Sequence, residues 1–437
     1  MEHDNSMSDR ILRKLEDIIN SDTELKDFTI VITEENTRNK CPVLYAEHSL
    51  GLESWCVKHV YQYVCAELFE TRAKLAKGKL TFEKMKSLNK LLIGALLINT
   101  DVATFWAMRR ELIESDVLSI EEELFFSKIV LTYKSKSNET FSHRKWLLNK
   151  LFKKCKHDQT FIINKFEEEF AVTEMAAGYS ANNYHCWNHR IWCMENLVNK
   201  LELSIVLPII EKQLQFSSKW IQLHVSEHTG YHYRQYLINL SQKNEYVAHI
   251  SQYYFKRIKP FLKVIKDSVS TLNFLMPKLN LPEKDLANTM NVISLLLYDL
   301  LCLTNNLNFL FDGHESLWYH RRFIIYKLIK LIYNSYKIPF QFKQLNCTYK
   351  HPTCCNFVES CLYSQLTNVP SSTSGEKLPK IIKYFPIKFE SPLYTMIVNW
   401  ERDFIRQNKE NINNLIQVEF AKRHEKWLLL FLNINLE

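Results

Sequence analysis

The chain has 437 residues, of which 46% are hydrophobic and 24% are charged, the balance of an ordinary globular protein. Its formal charge of +8 is a small excess for this length, so the composition allows an anionic partner but does not indicate nucleic-acid binding. With only 7 glycines, the chain has few residues suited to the positive-φ turns of tight hairpins, so we expect an all-α fold. A glycine-rich nucleotide-binding loop is not expected for the same reason.

The first 80 residues are expected to form an N-terminal extension. Apolar spacing predicts a helix from Ile11 to Ile19, a short strand from Phe28 to Thr33 and a second helix from Trp55 to Phe69. The polar, partly acidic start of the chain is unlike a signal peptide, and the eleven cysteines follow no framework spacing. We therefore expect reduced thiols and a cytoplasmic protein.

Quartets that begin with an aromatic residue and end with arginine recur between residues 81 and 335. They are Trp106-Ala107-Met108-Arg109, Phe141-Ser142-His143-Arg144, Trp187-Asn188-His189-Arg190, Tyr231-His232-Tyr233-Arg234 and Trp318-Tyr319-His320-Arg321. Successive arginines lie 35, 46, 44 and 87 residues apart, the last close to twice 44. A degenerate unit or an insertion is therefore expected between residues 240 and 300.

Each quartet is followed by apolar residues at helical spacing and preceded by another apolar helical segment, such as Phe161 to Ala177. A unit of about 44 residues accommodates two helices of roughly 15 residues with their loops. Residues 81–335 are therefore predicted to form an α-α superhelix, a solenoid of helical hairpins. Val292 to Leu303 is apolar but interrupted by Asp299, and it is predicted to be a buried core helix rather than a membrane span.

The C-terminal part is less regular. Residues 336–395 are predicted to be an irregular insertion, and residues 396–437 to be helical again. A cysteine and histidine cluster within the insertion lacks the spacing of a paired-cysteine zinc site, so ordinary thiols are expected and no metal is assigned to this chain. The cluster consists of Cys347, His351, Cys354, Cys355 and Cys361.

Two roles are open for the repeated aromatic and arginine residues. Three positions apart on a helix, they share a face, so the aromatic can pack between hairpins while the arginine reaches a carboxylate or carbonyl of the next hairpin. The alternative is a basic, aromatic edge that binds a ligand. The basic run from Lys145 to Lys156 is expected to be a solvated helix face.

The sequence Asn183-Tyr184-His185-Cys186-Trp187-Asn188-His189-Arg190 resembles the repeat signature of protein prenyltransferase α subunits at each of its defined places. Leu50 to Lys58 resembles a branch of that family distinct from the α subunits of farnesyltransferase and the Rab enzyme. The resemblance implies a crescent that wraps a β subunit, here of the Rab geranylgeranyltransferase type, which holds zinc and most of the isoprenoid pocket. It also implies transfer from geranylgeranyl diphosphate to a cysteine near the C-terminus of a protein substrate.

The resemblance further implies three catalytic residues. Family members place a lysine, five positions before one repeat's aromatic residue, and the Tyr-His pair of the next repeat at the diphosphate. Here these are Lys136, Tyr184 and His185, although Asn138 and Phe141 stand where many relatives have Tyr and Trp. The lysine would neutralise the leaving diphosphate and the other two would donate hydrogen bonds.

Structural roles also fit these residues individually. Lys136 fits a solvated loop residue, Tyr184 a packing residue at a helix start and His185 a surface or capping residue. The corresponding alternative for the whole chain is a non-catalytic helical-repeat scaffold that binds protein partners. A stand-alone enzyme is the weakest alternative, because the sequence shows neither a convincing metal site nor a nucleophile.

Overall fold

The computed structural model describes residues 2–34, 39, 41–77, 80–155, 158–243, 246, 252–262, 267–336, 391–411 and 414–436. These residues form an all-α helical-repeat fold with one small sheet near the start of the chain. The chain divides into two compact units, Met1–Leu201 and Glu202–Glu437, and each is described by itself.

Unit 1 contains a three-stranded sheet and the first helical hairpins. Its elements are α1 (Glu2–Ser21), β1 (Asp27–Val31), β2 (Val43–Ala46), β3 (Ser49–Glu53), α2 (Ser54–Ala76), α3 (Phe82–Ile98), α4 (Ala103–Glu114), α5 (Ile120–Tyr133), α6 (Asn138–Lys154), α7 (Gln159–Tyr179) and α8 (Tyr184–Lys200). The helices predicted around Ile11 to Ile19, Trp55 to Phe69 and Phe161 to Ala177 are confirmed as parts of α1, α2 and α7.

The sheet has the order β1-β3-β2, with β3 parallel to β1 and antiparallel to β2. The sequence predicted only the first strand. The turn between the other two uses Glu47 and His48 at φ 49° and 66° rather than glycine, so scarcity of glycine did not exclude this hairpin. The backbone N–H of Phe28 donates to Oγ1 of Thr132 at 3.0 Å, which joins the sheet to α5.

Unit 2 contains the later hairpins. Its elements are α9 (Leu203–Leu223), α10 (His228–Ser241), α11 (Gln252–Leu262), α12 (Ser268–Leu275), α13 (Glu283–Leu297), a π-helical segment (Tyr298–Thr304), α14 (Asn305–Leu310), α15 (Glu315–Ser335), α16 (Pro392–Lys409) and α17 (Leu415–Leu432). The predicted insertion at 336–395, with its cysteine and histidine cluster, lies almost wholly outside the described residues.

The apolar segment of unit 2 is a core helix. Within the described ranges, Asp285–Leu310 is long and apolar enough to cross a bilayer, but 67% of its most apolar window is buried in the protein. Ile293, Leu296 and Leu300 are fully buried. The prediction for Val292 to Leu303 is confirmed, with the difference that the helix changes to π geometry at Tyr298.

Helices α6 and α8 of unit 1 begin at side-chain caps. Ser137 Oγ accepts from the backbone N–H of Thr140 at the start of α6, and Asn183 Oδ1 accepts from that of Cys186 at the start of α8. Such caps satisfy N–H groups that the first helical turn leaves without an intrahelical partner. They fix where α6 and α8 begin, and therefore where the loops before these two helices lie.

Candidate functional site

The repeated arginines are buried and hold neighbouring helices together. Arg144 on α6 forms a two-pronged ion pair with Glu169 on α7, and its Nη1 donates to the carbonyl of Leu124 and to Oγ of Ser127 on α5. Glu169 also accepts from Nε2 of His189 on α8 at 2.7 Å. One carboxylate thus bridges the arginine of one hairpin and the histidine of the next.

An earlier carboxylate of unit 1 likewise bridges an arginine and the histidine of the next hairpin. Glu123 on α5 accepts from Nε and Nη2 of Arg109, each at 2.6 Å, and from Nε2 of His143 at 2.9 Å. The sequence did not indicate these carboxylates, because no short motif contains them. A signal exists nonetheless, since Glu123 precedes His143 by 20 residues and Glu169 precedes His189 by 20.

Unit 2 contains further copies of this arrangement. Asp299 joins Arg234 to His320, and Glu401 joins Arg321 to His424. Arg234 lies 65 residues before its carboxylate, whereas Arg144 lies 25 before its own. The helices α11 and α12 occupy the extra length, so the long spacing between residues 240 and 300 reflects an insertion.

One copy has a neutral pair in place of the charged one. Tyr233 stands at the histidine position of its quartet, and its hydroxyl donates to Oε1 of Gln213 at 2.8 Å. The separation is again 20 residues. A carboxamide accepts a hydrogen bond from a phenol as a carboxylate does from an imidazole, so the geometry is kept while the charge is lost.

These contacts decide between the two roles proposed for the quartets. The arginines, like the aromatics Trp106, Phe141, Trp187, Tyr231 and Trp318, are at most 2% exposed. A group with so little accessible surface does not form a ligand-binding edge. The repeated Trp and Arg residues therefore have a structural role.

The predicted catalytic residues lie outside this buried network. Lys136 is exposed, in the turn between α5 and α6. Tyr184 is the first residue of α8 and 48% exposed, and His185 follows it, half-buried, with the two rings in an edge-to-face contact at 5.7 Å. All three are therefore on the rim of the repeats rather than in their interior.

Hydrogen bonds join the two loops that carry these residues. Nδ2 of Asn183, the cap immediately before Tyr184, donates to the carbonyl of Ser135 at 2.6 Å, immediately before Lys136. Oγ of Ser135 also donates to Oγ of Ser180 at 2.8 Å. Asn183 is fully buried, so its carboxamide holds the two loops at a fixed separation. The structure thus brings Lys136 and the Tyr184–His185 pair to the same end of two adjacent hairpins.

The family model that matches the chain and the proteins similar to it indicate the same family. The protein prenyltransferase alpha subunit repeat matches residues 120–151 and 166–197. Protein prenyltransferase alpha subunit repeat-containing protein 1-A of Xenopus laevis is 30% identical over 341 residues, covering 74% of this chain and 73% of the relative. Protein prenyltransferase alpha subunit repeat-containing protein 1 of Homo sapiens is 28% identical over 434 residues, or 96% of each chain. The chain belongs to this family.

Within the repeat-containing protein 1 family, the two matched repeats of this chain are those that carry the candidate site. Lys136 lies in the first matched segment, and Tyr184 and His185 lie in the second. The narrower resemblance seen at Leu50 to Lys58 is confirmed by these relatives.

The electrostatic surroundings favour a neutral His185. Partial burial and the nearby positive charge of Lys145 both lower the pKa of this imidazole from 6.5, so it carries no charge near pH 7. A neutral imidazole still donates one N–H. Lys145 on α6 is itself half-buried, 5.9 Å from the ring centre of Trp192, and burial lowers its pKa.

Lys145 differs from the prediction made for its basic run, which was expected to lie on a solvated helix face. Lys153 and Lys154 are exposed as expected, but Lys145 points against α8. The available signal was its position directly after the buried Arg144, at the margin of the helix face that packs on the next hairpin.

No metal centre is formed by the residues that the structure describes, which contain no group of three or more His, Cys, Asp or Glu arranged to hold an ion. The cysteines among these residues are free thiols. Cys193, which is fully buried beside Glu169, has a pKa well above its usual value. It is therefore a packing residue and not a thiolate ligand.

Proposed function

We propose that the chain is the α subunit of a heterodimeric protein geranylgeranyltransferase that acts in the cytoplasm. Its partner would be a prenyltransferase β subunit of the Rab geranylgeranyltransferase type, and the lipid donor would be geranylgeranyl diphosphate. Zinc would be held by the β subunit, since the described residues of this chain offer no metal site. Family membership supports the architecture, and the loop contact between Asn183 and Ser135 supports the site.

The reaction requires the kind of groups that the rim presents. The thiolate of an acceptor cysteine forms a bond to C1 of the allylic diphosphate, while the C1–O bond breaks and its electrons leave with the diphosphate. Negative charge therefore grows on the leaving group. A flexible, exposed ammonium at Lys136 can neutralise that charge, and the Tyr184 hydroxyl and neutral His185 can each donate a hydrogen bond to it.

Lys145 would act indirectly in this proposal. Together with the partial burial of His185, the charge of Lys145 lowers the pKa of that imidazole and so favours the neutral form, which donates one hydrogen bond. The fixed cap at Asn183 would keep the donors at a constant distance from the Lys136 loop. Donors oriented before the reaction stabilise developing charge without reorganisation cost.

Co-expression with prenyltransferase β subunits tests the proposal. The expected result is a stable complex that transfers geranylgeranyl to a protein with a cysteine near its C-terminus, and that needs zinc to do so. A second test uses the same chain with Asn183→Ala. This variant removes the contact between the loops and should lower turnover. A well-folded chain that binds no β subunit would contradict the proposal and leave the non-catalytic scaffold.

A further inference from the structure

A cleft lies in unit 2, between α14 with the loop after it and α16. Its volume is about 650 Å³, within the usual range of ligand pockets, roughly 300–1,000 Å³. Its α16 wall carries Trp400, Asp403 and Gln407, which lie three or four residues apart and so share one helix face, and Asn411 follows the end of that helix. This face is polar and aromatic, not the apolar stripe by which a helix packs.

The floor of the cleft is a buried network of carboxamides. Nε2 of Gln417 donates to Oδ1 of Asn308 at 2.7 Å and to Oδ1 of Asn408 at 2.6 Å, and Nδ2 of Asn308 donates to Asn408. Oε1 of Gln417 accepts from the backbone N–H of Gly313 at 2.8 Å. These bonds fix the loop against α17, so the cleft is formed before any ligand binds.

Other polar groups of the cleft are unused. Among the described residues, the carboxamides of Asn306 and Gln407 and the indole N–H of Trp400 form no side-chain hydrogen bond. Phe309 stands beside them with 87% of its surface exposed, which is unusual for so large an apolar side chain. The open cleft therefore presents free amide donors and acceptors next to the exposed ring of Phe309 and the half-buried ring of Trp400.

The charge of the cleft is opposite to that of the chain. Among the residues that the structure describes, its lining includes the carboxylates of Asp312 and Asp403 and no lysine or arginine, whereas the chain carries a formal charge of +8. The pair between Asp403 and Arg406 is solvent-exposed, and such pairs contribute little and can be exchanged for another cation. An anionic ligand such as a nucleotide is therefore disfavoured.

We propose that this cleft binds an extended peptide segment of a partner protein through a lysine or arginine side chain. An extended backbone offers alternating N–H and C=O groups, and each free carboxamide can both donate to and accept from it. The aliphatic stem of a lysine or arginine would lie on Trp400 and Phe309, with its charge at Asp312 and Asp403. Peptide binding at this cleft does not require a catalytic role for Lys136.

Selection of short random peptides, displayed on phage, against the full-length chain tests this proposal. The expected outcome is enrichment of peptides with a lysine or arginine flanked by uncharged residues. Fluorescence anisotropy of the labelled peptides should show that Trp400→Ala weakens binding about tenfold or more. Enrichment of no peptide, or of peptides whose binding is unchanged when the basic residue becomes glutamate, would overturn the proposal.

Two further variants keep the test decisive if Trp400→Ala disturbs folding. Asp312→Asn with Asp403→Asn keeps the shape of the cleft, and it should weaken binding and remove its salt dependence. The matched control is Asn273→Ala with Phe274→Ala, which removes an exposed amide and an exposed aromatic ring from α12, away from the cleft lining. Equal binding by all of these variants would locate the peptides elsewhere and overturn the proposal.

Discussion

The hairpin α7–α8 of unit 1 and the hairpin α9–α10 of unit 2 share the buried contacts of their arginines and have different rims. In each, arginine Nη1 donates to a carbonyl 20 residues before it and to a hydroxyl 17 residues before it: Arg190 to Phe170 and Thr173, and Arg234 to Leu214 and Ser217. These contacts are the same in both hairpins because each joins the second helix of a hairpin to its first.

The rims follow no such rule. Helix α8 begins after the cap Asn183 with the exposed Tyr184 and the half-buried His185, whereas α10 begins after Glu227 with His228 and Thr229. The Glu227 carboxylate is used internally, accepting from Nε1 of Trp220 at 2.6 Å. The difference teaches that the repeated interior specifies the fold, while the rim can differ between repeats and carry function.

The largest expected effect comes from breaking the interior of unit 1. Glu169→Gln removes the negative charge that Arg144 and His189 share, leaving a buried guanidinium without its counter-ion. Loss of one partner of a buried ion pair typically costs about 3–5 kcal/mol. Urea unfolding followed by circular dichroism measures the loss. Glu168→Gln, on the same helix but exposed, is the control, and an equal effect of the two variants would contradict the account.

Acid should weaken the charged interior in a defined range. Burial lowers the pKa of His424 to about 4, so between pH 6.5 and about 4 the unfolded chain takes up a proton that the folded chain does not. At about 1.4 kcal/mol per pKa unit, this group alone removes about 3 kcal/mol as the pH falls through that range. His143, His189 and His320 act in the same direction, because burial lowers the pKa of each.

The carboxylates extend the same trend to lower pH. Burial alone would raise the pKa of Glu169, but Arg144 and His189 lower it to about 2, so its stabilising contribution is present above pH 4.5 and disappears toward pH 2. Urea midpoints measured from pH 7 to pH 4 should fall steadily. His424→Gln should flatten that slope, and an unchanged slope in this variant would show that His424 does not contribute to it.

A smaller effect is expected at the neutral copy of the network. Tyr233→Phe removes the hydroxyl that donates to Gln213 without removing a charge, so the free energy of unfolding should fall by about 1 kcal/mol. The change should be the same at pH 7 and pH 5, since the hydrogen bond joins two uncharged groups. A loss as large as that of Glu169→Gln would show that charge is not what distinguishes the two kinds of interior.

The sequence predicted the buried aromatic and arginine residues better than the carboxylates that pair with them. A large aromatic residue three places before an arginine is a local pattern with a packing reason, so the quartets located α4, α6, α8, α10 and α15. Glu123, Glu169, Asp299 and Glu401 were not predicted, because a carboxylate that pairs with an arginine across helices lies at a separation set by loop lengths. The strands Val43–Ala46 and Ser49–Glu53 were missed because they are short and their turn contains no glycine.

For the rim, the sequence supplied the residues but not their arrangement. Lys136 precedes Tyr184 by almost fifty residues, and their loops are joined by the hydrogen bonds from Asn183 to Ser135 and from Ser135 to Ser180. The half-buried position of Lys145 and the amide-lined cleft of unit 2 were not foreseen, because both depend on which helix faces pack. The proposed divisions at residues 80, 335 and 395 stay predictions.

The central claim is that exposed residues on the rim carry function, while the buried interior specifies the fold. Its most direct test is geranylgeranyl transfer by the complex carrying Lys136→Ala. Loss of one group that stabilises developing charge typically lowers the rate about 10² to 10³-fold. Because Lys136 is exposed, the complex should remain assembled and equally stable. Lys134→Ala, which removes an ammonium that lies over the Tyr133 ring, is the matched control and should retain turnover. Full turnover by Lys136→Ala, or equal losses in both variants, would contradict the account.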